Sequence, residues 1–167
     1  MGAEEIVNAG VSLIHLLANH AGVTTVQGGY ANGFPIGWDG SGGSGGSFKQ
    51  ITKHWKQTSD WYDFSKVDFD FTVGVSWLAG VRRNGSGHYI DQITATLEVG
   101  YLPVDFTVDV QASFPTHGNP MGTDDDVIAA MPLTMTIVFS GIFGQAVSWR
   151  QSKQVVLMGD GTYEWPT

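Results

Sequence analysis

Residues 67–81 read VDFDFTVGVSWLAGV. Val67, Phe69, Phe71, Val73, Val75, Trp77, Ala79 and Val81 occupy one set of alternate positions. Asp68, Asp70, Thr72, Gly74, Ser76 and Gly80 occupy the other. Only a strand sends successive side chains to opposite sides, so this run predicts a strand with one dry and one wet face. At about 3.3 Å per residue it spans roughly 45–50 Å, unless it bends near Gly74 or Gly80.

The chain around it repeats the pattern. Arg83-Asn84-Gly85-Ser86-Gly87 carries hairpin turn chemistry, and Tyr89–Tyr101 returns with Ile93, Ala95, Leu97 and Val99 alternating with Gln92, Thr94, Thr96 and Glu98. After Leu102-Pro103 comes a third alternating run, Val104–Phe114. Residues 115–132 hold three prolines and Asp124-Asp125-Asp126, and read as a long loop, the acids being solvated or capping a short helix at 124–131. Leu133–Phe143 and Gln145–Met158 read as strands about a turn near Gly144, and a turn at Gly159-Asp160-Gly161 leads to a short strand at 162–165.

The first third is less regular. In residues 3–21, Glu4, Asn8, Ser12, His15 and Asn19 recur at steps of three and four, opposite Ile6, Val7, Val11, Leu13, Ile14 and Leu17. That spacing predicts an amphipathic helix closed by Gly22. Residues 23–38 read as a strand, a turn at Asn32-Gly33 and an irregular exit. Residues 48–66 read as a short strand or helical turn with a loop. No strand–helix–strand spacing occurs, so a parallel sheet is not expected. The expected architecture is a single domain over 1–167: an antiparallel β-sandwich or flattened barrel of about seven strands with one N-terminal α-helix. Its layout is similar to that of small pore-forming cytolysins, although no shared motif carries the likeness.

Residues 40–47 read GSGGSGGS. Natural loops mix Gly and Ser with Asn, Asp and Pro to fix turn types, whereas this two-letter tract matches an engineered flexible linker spanning about 16 Å.

Composition narrows the function. Sixteen acids against eight Lys and Arg give a net charge of −8. The basic residues are scattered apart from Lys49, Lys53 and Lys56 with His54, and Arg82-Arg83, so nucleic acid is not an expected partner. There is no cysteine, which removes thiolate chemistry and disulfides. His15, His20, His54, His88 and His117 show no zinc spacing, the Asp run lacks the spaced calcium pattern, and no phosphate or dinucleotide fingerprint is present. Neither metal nor cofactor is expected. The acidic start, Met1–Glu5, has no basic n-region. The compartment stays open, secretion being the one that the functional class below suggests.

Two features invite a functional reading. Asp91 falls on the apolar face of its strand, close to His88, where a carboxylate must find a partner or emerge into solvent. With His88 or His117 it could act in a hydrolase. Tyr30, Trp38, Trp55, Trp61 and Tyr62 lie in the loop-rich region, away from clean alternation. They suit sugar stacking, lipid-headgroup contact or a protein interface, or else they plug the barrel end. The uncharged stretch 133–149 alternates as a membrane hairpin does, but a central core hairpin reads the same way and is the commoner case, so core is the expectation. The leading expectation is a non-catalytic, toxin-like or lectin-like binding protein that engages a glycan or a lipid surface. A subunit of a homo-oligomer comes second, since long strands leave edges to be paired, and a hydrolase third.

Overall fold

The computed structural model describes residues 4–19, 23–27, 30–60, 66–103, 106–141 and 148–165. Twelve strands run through them: β1 (Ile6–Asn8), β2 (Leu13–Asn19), β3 (Val23–Gln27), β4 (Ala31–Pro35), β5 (Ser47–Asp60), β6 (Lys66–Arg83), β7 (Ser86–Tyr101), β8 (Phe106–Ser113), β9 (His117–Thr123), β10 (Asp126–Gly141), β11 (Ser148–Met158) and β12 (Tyr163–Glu164). No helix occurs among the described residues.

The period-two runs become β6, β7, β8 and β10. Asn84 and Gly85 join β6 to β7 with φ of 52° and 78°, the left-handed pair of a type I′ turn, whose twist matches that of the flanking strands. β6 sends Phe69, Phe71, Val73, Val75 and Trp77 into the core, where they meet Leu133, Met135, Ile137 and Phe139 of β10 and Val155 and Leu157 of β11. The Phe69 and Phe139 rings lie 4.5 Å apart, and Phe106 stacks on Phe139 at 4.9 Å. Each such side chain contributes about 1.5–3 kcal/mol by leaving water. Trp77 is fully enclosed, and its Nε1–H donates to the Met158 carbonyl at 3.2 Å, so its one polar group is not orphaned.

One sheet runs β1-β4-β7-β6-β5 and another β3-β2-β8-β10-β11-β12. β9 joins them by pairing with both β10 and β1. A single parallel step, Ile128 opposite His88, brings β10 against β7. The circuit β7–β4–β1–β9–β10 is therefore closed, a barrel with the remaining strands outside it. Pro132 sits within β10 between the end of β9 pairing at Ala129 and the start of β8 pairing at Thr134. No partner strand on that side asks for the missing N–H.

Several expectations are corrected here. Residues 3–21 are not a helix: within 4–19 the chain forms β1 and β2. Ile14, Leu16 and Ala18 are buried and alternate with His15 and Leu17, because they pair with Ala112, Val110 and Val108 of β8. Between β1 and β2 the Gly10 N–H donates to Asn8 Oδ1 at 3.1 Å, and a Cβ on Gly10 would meet the Tyr30 carbonyl. That turn ends any helix. With the helix goes the layout shared with pore-forming cytolysins. Asn32-Gly33 is no turn but the middle of β4, and of the 48–66 stretch residues 48–60 belong to the fourteen-residue strand β5, while 61–65 lie outside the described residues. The 115–132 loop is the β9–β10 hairpin, turning at Asp124-Asp125, so 124–131 is not helical. Among the described residues the strand count is twelve rather than about seven.

The GSGGSGGS tract is folded onto the barrel. Gly40, Gly42, Gly45 and Gly46 all have positive φ, and Ser44 bridges to Arg82. A Cβ on Gly40 would lie 2.8 Å from the Phe34 ring, so the backbone passes directly over that aromatic.

Candidate functional site

The β6–β7 ladder slips by one residue at Gly80, which has φ +80°, and slips back at Gln92, a non-glycine residue at φ 50°. Between the slips Leu78 faces Asp91 and Ala79 faces Ile90. The bulge resolves the conflict in the sequence: Ile90 and Ile93 both turn inward and are fully buried, and Asp91 leaves the apolar face for a half-buried position. The β4–β7 pairing is irregular at the same level, between Ala31 and Gly33, which places Asn32 against the bulge.

The bulged backbone is held by side chains. The Gln92 N–H donates to Asn32 Oδ1 at 2.9 Å and to Asp91 Oδ1 at 2.7 Å. Among the described residues Asn32 is the one buried polar side chain, 6% exposed. A left-handed glutamine costs on the order of 1 kcal/mol and persists only where the surroundings fix it.

Around the bulge lies a cleft of about 350 Å³ lined by Tyr30, Asn32, Phe34, Asp39, Gly40, Asp91, Gln92 and Thr94. Tyr30 stands 53% exposed at its lip. Asp39 comes from the turn after β4. Hydrogen bonds from the Ser41 side chain and backbone N–H hold its carboxyl below the usual carboxylate range, so it is ionised at neutral pH. The cleft thus offers an aromatic face, two carboxyl side chains, two amides and a hydroxyl within one concavity. A second cleft of about 530 Å³, lined by Val7, Ala9, Pro35 and Trp38, flanks the other side of Asp39.

The expected aromatic residues are not brought together. Tyr30 reaches the cleft. Trp38 packs against the core, with Phe34 at 4.9 Å and Tyr89 at 5.5 Å, and its Nε1–H donates to the Ser41 carbonyl. It anchors the loop above Tyr89, whose hydroxyl donates to Glu4 Oε2 at 3.0 Å. Burial first, then the Glu4 carboxylate, push the Tyr89 phenol up to about 12. Trp55 stacks on Phe71 at 5.5 Å and donates to Gln151 Oε1. Phe71 and Val81, which mark the two neighbourhoods on β6, are ten residues apart, so Trp55 and Trp38 are separated by about 33 Å. Trp61 and Tyr62 lie outside the described residues.

Each described histidine pairs with one carboxylate: His15 with Asp109 and His54 with Asp70 at 2.6 Å, His88 with Asp126 at 3.3 Å, and His117 with Glu5 at 3.1 Å. Neither His88 nor His117 pairs with Asp91. Sequence reading passed over Asn32, Asp39, Gln92 and Thr94. The signal that points to them is Asp91 itself, a carboxylate on the dry side of an otherwise clean alternation, which only a bulge relieves. Comparison with models of known protein families, with curated proteins and with solved structures finds no match to this chain.

Proposed function

We propose that the protein is a non-catalytic binding protein of the lectin-like kind, and that the cleft at the β4–β7 bulge takes an uncharged glycan. The observation that carries this reading is Tyr30, exposed at the lip of a cleft otherwise lined with carboxyl, amide and hydroxyl groups. A sugar ring offers an apolar C–H face to an aromatic side chain and hydroxyls that donate to carboxylates. The acidic lining favours neutral over anionic sugars. Of the expected aromatic set, Tyr30 fits this role, whereas Trp38 and Trp55 are occupied in packing.

The lipid alternative has less support. In the 133–149 stretch the apolar residues Leu133, Met135, Ile137 and Phe139 face the core. At the alternate positions Thr134 and Thr136 stand opposite Gln154 and Ser152, and Val138 opposite the exposed Arg150, a largely polar exterior unlike the lipid face of a membrane hairpin.

A glycan array followed by calorimetry tests the proposal. Tyr30→Ala is expected to weaken the best ligand about three- to tenfold, the range of one aromatic contact. Asp91→Asn, which keeps an oxygen for the Gln92 N–H, is expected to weaken it about tenfold. Binding that neither substitution changes, or an array without signal, would refute the reading.

A further inference from the structure

β5 is an edge strand. Its ladder partner is β6 along all of Ser47–Asp60, and its other side pairs with no strand among the described residues. That leaves backbone donors and acceptors exposed over about 46 Å. β11 lies beside it as the edge of the facing sheet, paired on its outer side only through Val156 and Leu157 to β12.

Two contacts fix how these edges run. Trp55 Nε1–H donates to Gln151 Oε1 at 3.0 Å, and the Lys49 chain lies against Gly161, beyond the end of β11. Going from Trp55 towards Lys49 therefore matches going from Gln151 towards Gly161. Lys53 and Lys153 each lie two residues along from their anchor, so they sit at the same level. Their ladder partners, Val73 and Met135, face the core, so both lysines rise from the core side of their edges into the seam between the sheets.

The charge on these two edges is unusual for this chain. Lys49, Lys53, Lys56, Arg150 and Lys153 are five of its eight Lys and Arg residues, and all are exposed, Lys49, Lys53 and Lys153 on the core side at the seam and Lys56 and Arg150 on the outer face. None has an ion-pair partner among the described residues. Asp70, opposite Lys56 in register, is bound by His54 instead. In a protein with twice as many acids as bases, the cations of these two edges are left without an ion pair among the described residues.

We propose that the free edge of β5 receives an extended acidic peptide segment of a partner protein as an added strand. Main-chain hydrogen bonds along β5 supply affinity, and Lys49, Lys53 and Lys153 supply selection by charge. The same lysines set two β5 edges against each other as like charges, so the edge rejects a second copy of itself while accepting an acidic strand. This surface is separate from the glycan cleft and does not depend on it.

The test is fluorescence anisotropy with a labelled dodecapeptide of alternating glutamate and valine, alongside the same peptide with every amide N-methylated. The unmodified peptide is expected to bind saturably and to protect β5 amides from hydrogen exchange. Affinity should fall about 10- to 100-fold in Lys49→Glu/Lys53→Glu/Lys153→Glu, three rim charges each reversed. The N-methylated peptide, equal in charge but unable to donate, should not bind. The substituted side chains are exposed, and an unchanged urea midpoint will show that the variant is folded. Equal binding of the N-methylated peptide would overturn the proposal by leaving only a charged patch. So would the absence of peptide binding at about 1 mM, or binding of a sulfated oligosaccharide in its place.

Discussion

Gly159 follows the last residue of β11, at the junction where β6, β7 and β10 meet. Its N–H donates to the Ala129 carbonyl at 2.8 Å, and its own carbonyl accepts from the Gly80 N–H at 2.6 Å. A Cβ built there would lie 1.9 Å from the His88 carbonyl oxygen and 2.6 Å from its carbon. Contact between carbon and oxygen needs over 3 Å, so Gly159→Ala must drive two backbones apart by more than about 1 Å. Hydrogen bonds stretched that far are lost. Two at about 1 kcal/mol each, with overpacking at about 1–3 kcal/mol, give a destabilisation of about 3–5 kcal/mol. The control is Gly37→Ala, where φ is +77° but nothing lies within 4 Å of the new Cβ. That substitution incurs the left-handed conformation alone, about 1–2 kcal/mol. Urea unfolding of both variants is the assay. With a slope near 2 kcal/mol/M the Gly159→Ala midpoint should fall by about 2 M, and that of Gly37→Ala by less than about 1 M. Equal shifts would show that the β7–β10 closure at His88 is not as close as described.

Three further outcomes are expected. The Tyr89 phenol, raised from 10.0 to about 12 in the fold, keeps its proton where the unfolded chain loses it. Its stabilisation is therefore complete below about pH 10 and declines between pH 10 and 12; urea midpoints in that window should fall less steeply for Tyr89→Phe, and an identical slope would exclude the assignment. Gln92→Gly relieves a left-handed residue and should leave stability unchanged or raise it by up to about 1 kcal/mol, so a clear loss by calorimetry would mean that the Gln92 side chain itself holds the bulge. Phe139→Ala removes a fully buried ring that meets Phe69 and Phe106. Its cost of about 3–5 kcal/mol should lower the thermal midpoint by roughly 10 °C, and a drop of only a degree or two would mean that the two sheets do not meet there.

What the sequence determined by itself is the set of elements whose signal is local. Alternation from Val67 to Val81 and from Ile93 to Val99 assigns both the strand and its buried face, because a period of two admits no other backbone. Asn84-Gly85 assigns the hairpin, because few other residues take two consecutive left-handed positions cheaply. The antiparallel, mainly β architecture follows from these. Tertiary structure decided the rest. The helical spacing in residues 3–21 is genuine, yet Ile14, Leu16 and Ala18 satisfy a strand period equally well, and the partner that settles the matter is β8, nearly a hundred residues away in sequence. The local warning was Asn8 and Gly10, a turn pair inside the supposed helix. Barrel closure rests on β9 and on the step between Ile128 and His88, contacts that leave no periodic trace. The cleft was legible in two separate places, as the loop aromatic Tyr30 and as an anomaly, the carboxylate of Asp91 on a dry face. Tyr30, Asn32 and Asp39 come from β4 and its flanking segments, and only sheet register carries them to the bulge in β7.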